Sequence, residues 1–172
     1  MSFFVDTEII EINLKKIVKI PFEVSDLFPS RGMVMANIKL SSFWITKALE
    51  PDGKGSHWFE LDAADGKKLD VSMGKKLQFE IEIIDDWMEP PMPKDFRKKM
   101  KDMNLDLKWD CLTVKARWDW IRWIRATNNP KTCKKRMEVA CSKLQKGDKR
   151  PCCFDRTRCT IPEVSTSGIL RI

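Results

Sequence analysis

The sequence predicts an α+β protein, a small N-terminal β-barrel followed by a C-terminal helical region. Three observations carry this. Apolar and polar residues alternate through the first half, apolar spacing changes to three and four in the second, and the change falls at Pro90-Pro91-Met92-Pro93. Alternation turns one face of a strand toward a core, and spacing of three and four does the same for a helix. Proline lacks the amide donor that a ladder or a helix interior requires. The boundary therefore separates a barrel domain at 1–91 from a basic helical region at 92–172 that ends in an irregular C-terminal tail.

The strands follow in order. Ile10, Ile12 and Leu14 alternate with Glu11 and Asn13 as the apolar face of the first, and Val34, Ala36, Ile38 and Leu40 form the next. The period of two returns from Phe43 to Leu49, at His57, Phe59 and Leu61, and at Leu77, Phe79, Ile81 and Ile83. Turn residues separate these runs at Pro29 to Gly32, Pro51-Asp52-Gly53-Lys54-Gly55, Asp65-Gly66 and Gly74. Several short strands with one apolar face favour a barrel, because closure removes unpaired edges. The acidic residues of this half then lie outside. Trp44 and Trp58, opposite the inward residues of their strands, are the expected exposed aromatics.

Beyond the boundary, Pro93 at a first helical position precedes Phe96, Met100, Met103 and Leu107, spaced as one helix face. Residues 113–127 predict a helix buried over most of its circumference. Trp118, Trp120 and Trp123 lie inside the apolar arc, and Lys115, Asp119, Arg122 and Ala126 share the remaining side. The next helix has Asn129 as its cap, Pro130 in its first turn and Gly147 as its stop, with a stripe of Cys133, Met137, Ala140, Cys141 and Leu144. Residues 148–172 predict an irregular tail packed back on the body.

Charge is divided unevenly. Residues 1–90 hold 11 Lys/Arg against 16 Asp/Glu, net −5, and residues 91–172 hold 21 against 9, net +12, which together give the chain its +7. Such asymmetry points to an anionic partner for the basic half. Lys131, Lys134, Lys135, Arg136, Lys143 and Lys146 line the polar side of the last helix against Glu138 alone, and Lys149 and Arg150 follow it. These eight are the candidate anion-binding residues. Nucleic acid is the leading partner, because clustered Lys and Arg neutralise phosphates. The plainer alternative is a solvated face that serves solubility.

The remaining candidates are fewer. Six cysteines have spacings that match no standard zinc site, so neither metal nor cofactor is predicted. In RPCCFDRTRC, Arg150, Arg156 and Arg158 surround Cys152, Cys153 and Cys159, and nearby cations favour the thiolate. A thiol-based redox or stress-response protein is thus one alternative, although no histidine follows residue 90 to serve as a base. His57, the chain's one histidine, reads as a hydrogen-bonded core or rim residue, and Asp85, Asp86 and Glu89 as a solvated strand end. Gly53 and Gly55 lack the ending of a phosphate loop and read as a hairpin turn. A protein-interaction module using Trp44 and Trp58 is the other alternative. No apolar run approaches the ~18 residues of a membrane span. Asp6 and Glu8 stand where a signal peptide is basic, so a cytoplasmic protein without membrane insertion is expected.

Taken together, IVKIPFEV near the start, a glycine-containing turn before the last alternating strand, and WDWIRWIRATNNPKTCKKRMEVACSKLQKGDKR form a recognisable order. The chain resembles the bacterial YdeI/OmpD-associated (bacteriocin-protection) proteins, with Thr132, Arg136, Leu144 and Gly147 in the matching helical segment. It departs from them at Cys133, where the family has arginine, and at Gly74-Lys75, where it has Gly-Asp. The resemblance implies a double-split β-barrel of unknown function at the N-terminus and a bacterial, cytoplasmic setting. It implies no catalytic residues. The expectation is a non-enzymatic binding module for an anionic partner.

Overall fold

Six strands of the first half pair antiparallel into a closed barrel in the computed structural model, which describes residues 1–69 and 74–172. They are β1 (Ser2–Ile12), β2 (Lys15–Lys19), β3 (Val34–Leu40), β4 (Phe43–Pro51), β5 (His57–Leu61) and β6 (Lys76–Ile84). Two short helices, α1 (Phe22–Ser25) and α2 (Ala63–Leu69), lie in the connections. Around the barrel the order is β1-β2-β5-β4-β3-β6, and β6 closes on β1.

Register decides which face of β1 is buried. Val5 pairs with Phe79 and Phe3 with Ile81, so the odd positions of β1 follow two core residues inward. Val5 and Ile9 are buried, which corrects the expectation that Ile10, Ile12 and Leu14 form the inner face. Leu14 is 88% exposed, in a two-residue hairpin turn where Asn13 and Leu14 both take positive φ, 51° and 66°. Such turns match the twist of the flanking strands. Elsewhere the expected inward residues Val34, Ala36, Ile38, Leu40, Phe59, Leu61, Leu77, Phe79 and Ile81 are all core residues, while β4 is half-buried on both faces from Ile45 to Ala48.

Two further expectations for this half are corrected. Trp58 is 3% exposed rather than open, and its indole N–H donates to the Pro51 carbonyl at 3.3 Å. Trp44, at 54%, is exposed as expected. Nor do all the acids lie outside, since Glu50, Asp52 and Asp65 are buried. Asp52 accepts backbone N–H bonds from Lys54 (2.7 Å) and Ser56 (2.9 Å) and pairs with Lys19 at 3.3 Å. Asp65 pairs with Lys47 at 2.6 Å. A carboxylate can be buried once it is partnered, and hydropathy alternation does not register partners.

The second half forms α3 (Lys94–Asp102), α4 (Asp106–Asp110), α5 (Val114–Arg125) and α6 (Pro130–Gln145). Pro93 stands just before α3 rather than in its first turn. The helix face expected from Phe96 to Leu107 is broken at Asn104, whose φ is 54°. There the Leu105 N–H turns back to the Met100 carbonyl at 2.9 Å. Asparagine tolerates the left-handed region that ends a helix. As a result Leu105 and Trp109 enter the core and Leu107 is left 79% exposed.

The α5 helix starts at Thr113, whose side chain accepts the Ala116 N–H at 3.1 Å. Its expected polar side is only partly open, because Lys115 is exposed whereas Asp119 and Arg122 are both buried. The Arg122 guanidinium lies 5.3 Å from the centre of the Phe154 ring, an arrangement that periodicity cannot reveal. The core of this half joins Phe96, Met100, Trp109, Trp120, Ile124, Met137 and Leu144.

The chain divides into two compact units, Met1–Asp86 with Arg156–Cys159 and Glu163–Ile172, and Trp87–Asp155 with Thr160–Pro162. In the first, the tail forms a minimal hairpin of β7 (Ser165–Thr166) and β8 (Ile169–Leu170). The Leu170 N–H donates to the Asp52 carbonyl at 2.9 Å, so the Pro51–Gly55 turn anchors the tail.

Candidate functional site

The last long helix presents its cations by a simple division of faces. Asn129 caps it by accepting the Lys131 N–H at 2.9 Å, and Pro130 occupies the first turn, where a missing amide hydrogen is no loss. Met137, Ala140, Cys141 and Leu144 are buried. What remains outside includes Lys131, Lys134, Lys135 and Lys146.

The eight candidate residues are not equivalent. Lys131, Lys134, Lys135, Lys146 and Lys149 are exposed and form no ion pair among the described residues. Three are engaged. Arg136 donates to the Trp123 carbonyl at 2.7 Å and lies 5.5 Å from the centre of that indole ring, so it fastens α6 to α5. Lys143 pairs with Asp148 at 3.8 Å, and Arg150 with the buried Asp119 at 3.6 Å. Lys149 lies away from the start of α6, at an apolar hollow of about 280 Å³ lined by Leu107, Leu112 and Leu144.

Sequence reasoning found α3 but missed its cations. Phe96 and Met100 turn inward, and Lys94, Arg97, Lys98 and Lys101 are exposed without an ion pair among the described residues. Between α3 and the start of α6 runs a cleft of about 580 Å³ lined by Lys98, Lys99 and Lys134 together with Asp95, Asp102 and Cys133. Lys99 reaches Glu138 at 3.7 Å. The signal was present in the spacing of Lys94, Lys98 and Lys101, which runs beside the apolar spacing of Phe96 and Met100.

The thiols separate. Cys152 and Cys153 are exposed neighbours in the helical unit with their sulfurs 2.8 Å apart, whereas Cys159 is buried and belongs to the barrel unit. The hydrogen bond to Cys152 pushes the Cys153 thiol up from its ordinary value, and the neighbouring Cys152 charge acts in the same direction. This runs against the thiolate expected from the flanking arginines. Cys141 is raised by burial, as suits a packing residue.

His57 sits in the barrel core. Its Nε2 lies 2.7 Å from the Gly32 carbonyl and its Nδ1 2.6 Å from the Ser25 hydroxyl. A carbonyl only accepts, so Nε2 carries the proton and the Ser25 O–H donates to Nδ1. This serine–histidine pair is fully buried and holds α1 against β5. Burial lowers the imidazole pKa, and the nearby Arg31 charge acts in the same direction.

Among the described residues no group of three or more His, Cys, Asp or Glu is arranged to hold a metal ion. No helix of the described residues is long and apolar enough to cross a membrane. Comparison with known families matches residues 6–81, from β1 into β6, to a domain of unknown function, DUF1905. The chain matches no curated protein.

Proposed function

We propose that this chain is a cytoplasmic, non-enzymatic binding module of the YdeI/OmpD-associated (bacteriocin-protection) type that takes an anionic macromolecule, nucleic acid, on the basic face of its helical unit. The observation that carries this reading is the set of cations on α6 and α3 that form no ion pair among the described residues: Lys131, Lys134, Lys135 and Lys146 from one, Lys94, Arg97, Lys98 and Lys101 from the other, with a cleft between the two helices. A helix of 16 residues extends about 24 Å at ~1.5 Å per residue, and duplex DNA carries one charge per ~1.7 Å, so one face of α6 meets several phosphates. Asp95 and Asp102 in the cleft favour contact along its rims over deep insertion of a phosphate. The family-type reading is supported by the domain match at 6–81 and by the similarity of the segment from Trp118 to Arg150.

Fluorescence anisotropy of labelled duplex and single strands across a salt series tests the proposal. If the eight cations Lys131, Lys134, Lys135, Lys146, Lys94, Arg97, Lys98 and Lys101 each neutralise one phosphate, log K falls against log salt with a slope of about −7 for duplex. Absence of salt-sensitive binding at low ionic strength overturns it.

A further inference from the structure

Cys152 and Cys153 are adjacent in the chain, both exposed, and joined by a trans peptide with their sulfurs 2.8 Å apart. Adjacent Cα atoms across a trans peptide are separated by about 3.8 Å, below the roughly 4.4–6.8 Å that a disulfide prefers. Direct S–S closure here is therefore strained. A bridging third atom lengthens the ring and removes that restriction while using the same two sulfurs. Cys153 is held at a φ of 62°, a conformation non-glycine residues rarely adopt.

The geometry points to a dithiol capture site at Cys152 and Cys153 for monosubstituted trivalent arsenicals, both sulfurs bonding to one soft, thiophilic centre. Thiol ligands select soft centres over oxygen-seeking ones. The step balances without an oxidant. Starting from R–As=O and two S–H groups, two As–S bonds form, the As=O bond breaks, and its oxygen leaves as water with both thiol protons; no electrons are exchanged. The reactants are neutral thiols, so the upward push on Cys153 does not oppose capture, while it does oppose reactions that begin from a thiolate. Cys159 takes no part because it is buried, and exposed Cys111 has no adjacent thiol to pair with.

The test uses the full reduced chain and phenylarsine oxide, read by intact-protein mass spectrometry. One equivalent is expected to add as a phenylarsenic group less two hydrogens, to persist in excess monothiol and to leave in a dithiol. Cys152→Ser and Cys153→Ser each lose the retained adduct, whereas Cys111→Ser and Cys159→Ser keep it. In the unaltered protein, the arsenical protects Cys152 and Cys153 from alkylation, a readout that needs no variant. An adduct that survives in the Cys152→Ser/Cys153→Ser double variant, alkylation of either thiol undiminished, or closure of the pair to a disulfide that blocks uptake in a glutathione buffer overturns the assignment.

Discussion

Near neutral pH, barrel stability should depend on pH through His57, and the sign and size follow from its surroundings. Burial lowers the His57 pKa below its ordinary 6.5, so the folded protein holds the imidazole neutral while the unfolded chain takes up a proton. Between these two values the unfolded state binds more protons. Stability is therefore complete above about pH 6.5 and is lost as pH falls toward the folded value. One proton sets the steepest slope at about 1.4 kcal/mol per pH unit. The chain has only this histidine, so no other imidazole contributes to the window.

Substitution sets a second magnitude. His57→Ala removes the partner of both the Ser25 hydroxyl and the Gly32 carbonyl. Leaving each unpaired in the interior costs about 1–3 kcal/mol, and loss of the ring adds a cavity term, so a total near 4 kcal/mol is expected. Hydrogen exchange followed by mass spectrometry on peptides from α1, β2 and β5 reads the barrel apart from the tryptophan-rich helices. Protection should fall from pH 6.5 to 5.5 by up to about fivefold beyond the intrinsic exchange trend. The histidine part of that slope should vanish in His57→Gln. A flat profile in the unaltered protein, or an undiminished slope in His57→Gln, refutes the argument.

Three other expectations follow from the same geometry. Combined Lys131→Ala, Lys134→Ala and Lys135→Ala should make the salt dependence of nucleic-acid binding shallower by about three units, measured by anisotropy, without changing helical circular dichroism. Asp62 accepts the Asp65 N–H at 2.9 Å and pairs with Lys47 at 2.9 Å, which together hold its pKa down from 3.8 to about 2. Asp62→Ala should therefore lower stability by about 1 kcal/mol in denaturant melts at neutral pH, with the difference fading as pH falls from about 4 toward 2. Gly53 has φ +83°, and a Cβ there would collide with the Gly168 carbonyl, so Gly53→Ala should detach the tail hairpin and open residues 156–172 to limited proteolysis.

The parts of the fold legible in the sequence are those where periodicity and burial coincide. Phe79 and Ile81 of β6 and the Asn129-Pro130 start of α6 belong to this class, since alternation and capping are local. The parts that were not legible depend on partners. The inner face of β1 is set by its pairing with β6, some seventy residues away, and not by the local Ile10-Ile12-Leu14 pattern. Arg122 and Asp119 are charges satisfied by particular groups, Phe154 and Arg150 among them, and a hydropathy pattern counts them as surface. The α3 cations were missed for a different reason: net charge located the basic half, but only a helix ending at Asp102 shows which of its lysines face outward.

One local conflict bears on the proposed interface. The positive end of a helix dipole lies at its N-terminus, where acidic residues stabilise and basic ones oppose. The first turn of α6 contains no acid, and Lys131, Lys134 and Lys135 crowd its first two turns. For Lys131, in the first turn, the placement costs about 0.3–1 kcal/mol at low ionic strength, and Asn129 supplies only part of the compensation through its cap. A face serving solubility alone would be served equally by lysines at the other end, where Lys143 and Lys146 already complement the dipole. Departures from local consistency concentrate at functional sites. An incoming phosphate would relieve both the lysine repulsion and the unfavourable dipole, so anion binding should raise the melting temperature of the helical unit most at low salt. Replacing Lys131, Lys134 and Lys135 with glutamate should raise it without any ligand. A drop in melting temperature in that triple variant would remove this support for the basic face as a binding surface.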